Sequence, residues 1–217
     1  MSAVVIGTLA GCDAASSLAS SPQPKPSITE TRAAERAIAV RVGARGLTVT
    51  MSDDASPVEI PFTMDPESAV TRLSDLVGSA PERKTTEANN CSAPFTQQTW
   101  GDGLTLAYGQ SGGLPGGARF DARVYGAEIA GEVRVETTAG AGVGESADAI
   151  VSATAPTLIR ESASDDVPGA TDTYLYYDIV NESGGESYGA SLVAKSVAGG
   201  GRVVASFLAP YWVEGDC

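Results

Sequence analysis

The sequence has 217 residues, of which 42% are hydrophobic but only 6% aromatic, so we expect one large or two small domains with cores of small aliphatic side chains. It carries 27 acidic and 14 basic residues, a net charge of −13. A field of this sign repels phosphate groups, which argues against nucleic-acid binding and against a polybasic membrane anchor.

The N-terminus has the pattern of a bacterial lipoprotein signal. A short apolar segment ends in Leu9-Ala10-Gly11-Cys12. In such signals the chain is cut before the cysteine, and its thiol receives a lipid. We therefore expect residues 1–11 to be a truncated signal peptide and the lipid on Cys12 to hold the protein on the extracytoplasmic face of the cell membrane. No Lys or Arg precedes Cys12, which predicts a start codon further upstream. The alternative is a buried apolar strand.

The segment after Cys12 is rich in serine and proline and has no apolar periodicity. Such a composition cannot bury a core, so residues 12–36 are predicted to be a disordered tether.

Regular elements are expected from residue 37 onward. Apolar residues alternate at 38–42 and 47–51 on either side of a Gly-containing turn, which predicts a β-hairpin, and a third strand follows at 58–60. Asp65-Pro66-Glu67 is typical of a helix start, and Gly78 is typical of its end. Residues 82–99 are polar and are expected to be irregular up to a strand at 99–100.

Further strands are predicted at 104–108, 120–124, 133–135 and 174–180, and a second helix is predicted near 147–154. The acidic stretch 161–172 shows no pattern. A last hairpin joins 190–197 to 202–208 through three glycines.

The two halves of the chain share one order of elements: a strand, a short helix, a gap, and antiparallel strands that carry Trp100 or Trp212. This order resembles the small α+β repeat of the β-lactamase-inhibitor-like and outer-membrane-assembly lipoproteins. The segment 142–150 resembles that of uncharacterised actinobacterial secreted lipoproteins. The resemblance implies an α+β fold of two related units, 37–128 and 129–217, each a mostly antiparallel sheet with one short helix. It also implies non-enzymatic protein contacts.

Two cysteines remain when Cys12 is assigned to the lipid. An even pair outside the cytoplasm predicts a disulfide between Cys91 and Cys217. The alternative is a pair of free or metal-binding thiols.

The absence of histidine excludes a Ser-His-Asp triad and a His-ligated zinc site. Ser111 stands in a G-x-S-x-G motif, but no histidine is available to accept its proton, so the motif is interpreted as a loop. No phosphate-binding glycine motif occurs. We therefore expect no catalytic residue, no cofactor and no metal. A calcium site around Ser164, Asp165, Asp166 and Asp172 is the alternative considered.

Tyr174 and Tyr176 alternate with Leu175 and Tyr177 along one predicted strand. If Leu175 and Tyr177 face the core, the other two tyrosines lie on the open face of the sheet. Aromatic rings on such exposed faces are enriched at protein interfaces. The alternative is that the rings only cover neighbouring strands.

These observations predict a non-catalytic, lipid-anchored protein that binds another protein or an envelope component of unknown identity, with Tyr174 and Tyr176 as candidate contacts. The alternative function is a carboxylate-dependent cell-wall hydrolase. A cleft with two acidic residues and a tryptophan would favour the hydrolase, whereas an open sheet that bears aromatic rings would favour the binding protein.

Overall fold

The structure is a computed structural model that describes residues 36–52, 56–88, 93–110, 113–154, 156–163, 171–183, 185–197 and 200–213. These residues form thirteen strands and two α-helices. In chain order the elements are β1 (Ala37–Gly43), β2 (Gly46–Met51), β3 (Val58–Pro61), α1 (Pro66–Val77), β4 (Glu82–Thr86), β5 (Phe95–Trp100), β6 (Leu104–Tyr108), β7 (Phe120–Val124), β8 (Glu128–Ile129), β9 (Val133–Thr137), α2 (Ala147–Thr154), β10 (Leu158–Ala163), β11 (Thr171–Asn181), β12 (Ser187–Ser196) and β13 (Arg202–Trp212). The predicted α+β class is confirmed.

The strands form two sheets. The five-stranded sheet has the order β3-β2-β1-β9-β8, and the eight-stranded sheet has the order β10-β11-β12-β13-β7-β6-β5-β4. Strands β1 and β9 pair in parallel, with Val40 opposite Val135. The other strand pairs among the described residues are antiparallel.

Both sheets draw strands from either side of the predicted boundary between residues 128 and 129. Strand β9 pairs with β1, and β13 pairs with β7. The described residues all belong to one compact unit, and buried residues of both sheets and both helices form one hydrophobic cluster. Trp100 is 1% exposed in this cluster, and its indole N–H donates to the Ser79 carbonyl at 3.0 Å.

Helix α1 has the predicted start and end. The Asp65 carboxylate accepts a hydrogen bond from the Ser68 backbone N–H at 3.1 Å, and Pro66 is the first helical residue. Gly78 ends the helix with φ 71°, a conformation that glycine adopts without steric cost. Ala69, Val70, Leu73 and Val77 bury one face of the helix in the core.

Helix α2 is confirmed near its predicted range. Arg202 at the start of β13 donates to Asp148 of α2 at 2.7 Å and to Glu161 of β10 at 3.3 Å, so one guanidinium connects the helix to the sheet.

The expectation of irregular structure before residue 99 is wrong, because β4 and most of β5 lie there. β4 is Glu-Arg-Lys-Thr-Thr at the edge of its sheet, where charged side chains are favoured and no apolar alternation arises. The unpatterned stretch that begins at Glu161 likewise includes the end of β10, the other edge strand. No helix of the described ranges has the length and apolarity needed to cross a membrane.

Candidate functional site

The candidate site lies on the outer face of the eight-stranded sheet, the face that points away from the shared core. Residues 120, 122 and 124 of β7 are part of the core cluster. Because successive strand side chains point to opposite faces, Asp121 and Arg123 lie on the outer face, and Tyr125 follows in the same alternation. Tyr125 is 59% exposed, and its backbone N–H donates to the Gly103 carbonyl at 2.9 Å.

Asp121 and Arg123 form a two-bonded ion pair. The Arg123 Nε donates to Asp121 Oδ1 and its Nη2 donates to Oδ2, each at 3.0 Å. The Gln110 amide nitrogen donates to the same Oδ2 at 2.8 Å. The hydrogen bonds to Asp121 raise the pKa of the Arg123 guanidinium, against the opposing effect of burial. The two side chains therefore hold each other in place, and together they carry no net charge.

Strand β13 provides the other side of the site. Its pairing with β7 ends at Ala209, which lies opposite Ala122, while its pairing with β12 continues to Trp212. The sequence predicts the end of this strand near Leu208, ahead of Pro210. Pro210 lacks a backbone N–H and stands just beyond the last residue paired with β7. The strand nevertheless continues, because Tyr211 and Trp212 still pair with β12.

The space beside the end of β13 is a concavity of about 230 Å³. Its walls combine aromatic and aliphatic side chains with polar groups, including the Asp121–Arg123 pair. The lining residues are Gln110, Gly113, Leu114, Pro115, Asp121, Arg123, Tyr125, Leu208, Pro210, Tyr211 and Trp212.

Tyr211 lines this concavity and also contacts Tyr176, one of the two tyrosines that the sequence indicates as candidate contacts. Its ring stacks on Tyr176, with a centroid distance of 6.4 Å and an interplanar angle of 29°. Arg160 lies 6.0 Å from the centre of the Tyr176 ring. Tyr176 is therefore only 4% exposed, and burial, followed by the proximity of Tyr211, raises its pKa.

The expected alternation in β11 holds for Leu175 and Tyr177, which belong to the core cluster. Tyr174 is half-buried, and Tyr176 lies beneath Tyr211 rather than in solvent. Tyr211 is 41% exposed and takes the position on this face that the sequence suggested for Tyr176. The sequence signal for the site was the alternation of Asp121, Arg123 and Tyr125 between apolar neighbours.

A second concavity of about 400 Å³ lies beside the turn between β1 and β2. Two pairs of its polar side chains are hydrogen-bonded to each other, and the exposed Arg45 also lines it. The Thr48 hydroxyl lies 3.0 Å from both carboxylate oxygens of Glu59, and the Thr138 hydroxyl donates to Asp178. Asp178 has φ 53° at a bulge in β11. The described residues that line this second concavity include no aromatic side chain, whereas Tyr125, Tyr211 and Trp212 line the outer-face site.

Several sequence predictions fall outside the described residues: Cys12, Cys91 and Cys217, Ser111, and Ser164, Asp165 and Asp166 of the suggested calcium site. Asp172 is described and buried, and its Oδ1 has no hydrogen-bond partner among the described residues. No group of three or more potential metal ligands occurs within the described ranges.

The outer-face site has one carboxylate among its described lining residues, and Arg123 and Gln110 hold it. Hydrolysis of glycosidic bonds by the usual acid and base pair requires two carboxyl groups across the bond. The arrangement suits recognition through hydrogen bonds and aromatic contacts.

No protein-family model, curated protein or solved structure matches the chain.

Proposed function

We propose that this protein is a non-catalytic binding protein, held by a lipid on Cys12 at the extracytoplasmic face of the cell membrane. In this proposal, the outer face of the eight-stranded sheet binds another protein or an envelope component. The observation that carries the proposal is the pair of exposed rings, Tyr125 and Tyr211, which line one concavity together with the Asp121–Arg123 pair.

Exposed aromatic rings support binding because they supply a large contact area and lose little conformational entropy. Most large apolar side chains of the described residues are in the core, so two exposed tyrosines at one concavity are a distinctive feature. The polar pair in the same concavity can fix the orientation of a bound group, as a few well-placed polar groups do in ligand sites.

The binding test uses the full chain immobilised through its C-terminus and exposed to solubilised envelope material of the native organism. We expect the double variant Tyr125→Ala, Tyr211→Ala to lose the retained material. The matched control is Ile38→Ala, which truncates an exposed apolar side chain of β1 in the other sheet and should retain it. Equal retention by all three proteins would contradict the proposed binding face.

The lipid anchor is tested separately. The protein expressed from its chromosomal locus should incorporate labelled palmitate and sediment with membranes, and Cys12→Ser should abolish both properties. An unlabelled wild-type protein would refute the anchor without affecting the binding face.

A further inference from the structure

We infer that the concavity beside the end of β13 binds a neutral sugar unit of an envelope glycan. This inference rests on the proposed function and specifies the class of ligand that the outer face takes.

Charge is the first reason. Asp121 and Arg123 are the only Asp, Glu, Lys or Arg residues among the described lining residues, and their charges cancel within the two-bonded pair. The remaining chain has a net charge of −13, so an anionic ligand would meet a repulsive field, with no unpaired cation among the described lining residues. A cationic ligand would have to compete with Arg123 for the one carboxylate. An uncharged ligand avoids both the electrostatic repulsion and the competition with Arg123.

The hydrogen-bonding groups are the second reason. Carboxylate oxygens only accept, a guanidinium only donates, and an amide side chain does both. Asp121, Arg123 and Gln110 place all three kinds of group next to one another, connected by bonds of 2.8 to 3.0 Å. The Asp121 side chain is only 5% exposed and holds the other two groups in place. Neighbouring sugar hydroxyls, which each donate and accept, would therefore bond to the remaining N–H groups of Arg123 and to the Gln110 amide.

The aromatic walls are the third reason. A sugar ring has an apolar face made of C–H groups and a polar edge made of hydroxyls. The negative face of an aromatic ring attracts such C–H groups. Tyr125, Tyr211 and Trp212 line the same concavity as Arg123 and Gln110, so one ligand can contact a ring with its face and these polar groups with its edge.

Size is the fourth reason. The volume of about 230 Å³ lies below the roughly 300–1,000 Å³ of typical drug-sized sites, so it suits one ring rather than a large compact ligand. Tyr125 and Tyr211 are exposed at the rim, where the neighbouring units of a glycan chain would continue.

The experiment measures binding of neutral hexasaccharides to the full chain by isothermal titration calorimetry. The panel contains α- and β-linked hexamers of glucose, mannose, galactose and N-acetylglucosamine. We expect at least one hexamer to bind at millimolar or lower concentration. Tyr211→Ala and Tyr125→Ala should each weaken its binding about tenfold or more, equivalent to about 1.4 kcal/mol. Ile38→Ala should bind as the wild type does.

Tryptophan fluorescence provides a readout that locates the sugar. Trp100 is buried in the core, whereas Trp212 lines the concavity. A bound hexamer should change the emission of the wild-type protein, and Trp212→Phe should remove that change while calorimetry still detects binding.

The inference is overturned if no hexamer binds, if binding is unaffected by both tyrosine substitutions, or if uridine or an uncharged tetrapeptide binds more tightly at these tyrosines. If no hexasaccharide binds while envelope material is still retained through Tyr125 and Tyr211, the inference of a sugar ligand is refuted and the proposed function stands. If retention also fails, both fall.

Discussion

Asp121 and Arg123, two residues apart on one strand, are joined by two hydrogen bonds of 3.0 Å but differ in burial. The Asp121 side chain is 5% exposed, whereas that of Arg123 is 29% exposed. A lone carboxylate here would be almost cut off from water, but a lone guanidinium would keep part of its hydration. The two residues should therefore respond unequally to substitution.

We expect Arg123→Met to lower the free energy of unfolding by about 3 kcal/mol, because it leaves a buried carboxylate with only Gln110 as a described partner. Asp121→Asn should cost about 1 kcal/mol, because an amide oxygen can still accept one of the bonds and Arg123 is partly solvated. Urea denaturation of both variants measures the difference. Equal losses, or a larger loss for Asp121→Asn, would contradict this account of the pair.

Gly103 lies tightly against the backbone of Glu128 and is hydrogen-bonded to Tyr125. A Cβ at residue 103 would lie 2.2 Å from the backbone oxygen of Glu128, and the Gly103 carbonyl accepts the Tyr125 N–H at 2.9 Å. We expect Gly103→Ala to cost about 2 kcal/mol, since backbone must move to relieve the overlap. We also expect it to shift the Tyr125 ring resonances in the NMR spectrum.

The matched control is Gly142→Ala. There the added Cβ would lie 3.3 Å from Oε1 of Glu145, a flexible side chain that can move away. This variant should stay within about 0.5 kcal/mol of the wild type. A Gly103→Ala protein as stable as this control would show that the close approach to Glu128 has no energetic consequence.

The helix α1 was predictable because its signals are local: Asp65, Pro66 and Gly78 each act on backbone within one turn. Strand β4 was not, because an edge strand of polar residues lacks the alternation that burial imposes. Local sequence signals also could not predict the order of the strands in the sheets, because β1 and β9 pair although they are far apart in the chain.

The outer-face site was predictable only in part. The sequence showed the tyrosines of β11 and their alternation. The exposure of each ring, however, depends on which residues from neighbouring strands cover it. Tyr211 covers Tyr176 because β13 pairs with β12 next to β11, which is a property of the sheet order. Asp121 and Trp212 line one concavity for the same reason, because β13 pairs with β7 up to Ala209.

The cysteines yield a covalent prediction. We expect non-reducing peptide mass spectrometry to find Cys91 linked to Cys217. Because the bond would close a loop of roughly a hundred or more residues, Cys91→Ser and Cys217→Ser should each lower the free energy of unfolding by up to about 4–5 kcal/mol. Cys12→Ser should leave that free energy unchanged. Alkylation of both thiols in the unreduced native protein would refute the disulfide.

The Asp65 cap predicts a dependence of stability on pH. Hydrogen bonds from the Ser68 backbone N–H and hydroxyl, with a smaller contribution from Arg119, lower the pKa of Asp65. A carboxyl with a lower pKa in the folded state contributes stability above its unfolded pKa of about 3.9, and this contribution is lost as the pH falls through the folded pKa. Asn and Ser also cap helices but do not titrate in this range.

We therefore expect the wild type to lose more stability than Asp65→Asn between neutral pH and the acid range below about pH 4. The difference should be constant at higher pH, where the carboxylate is fully ionised. Urea denaturation at a series of pH values measures it, and Asp65→Ser serves as a second cap that does not titrate. If both variants lose stability with acid as steeply as the wild type, the Asp65 carboxylate is not the source of the effect.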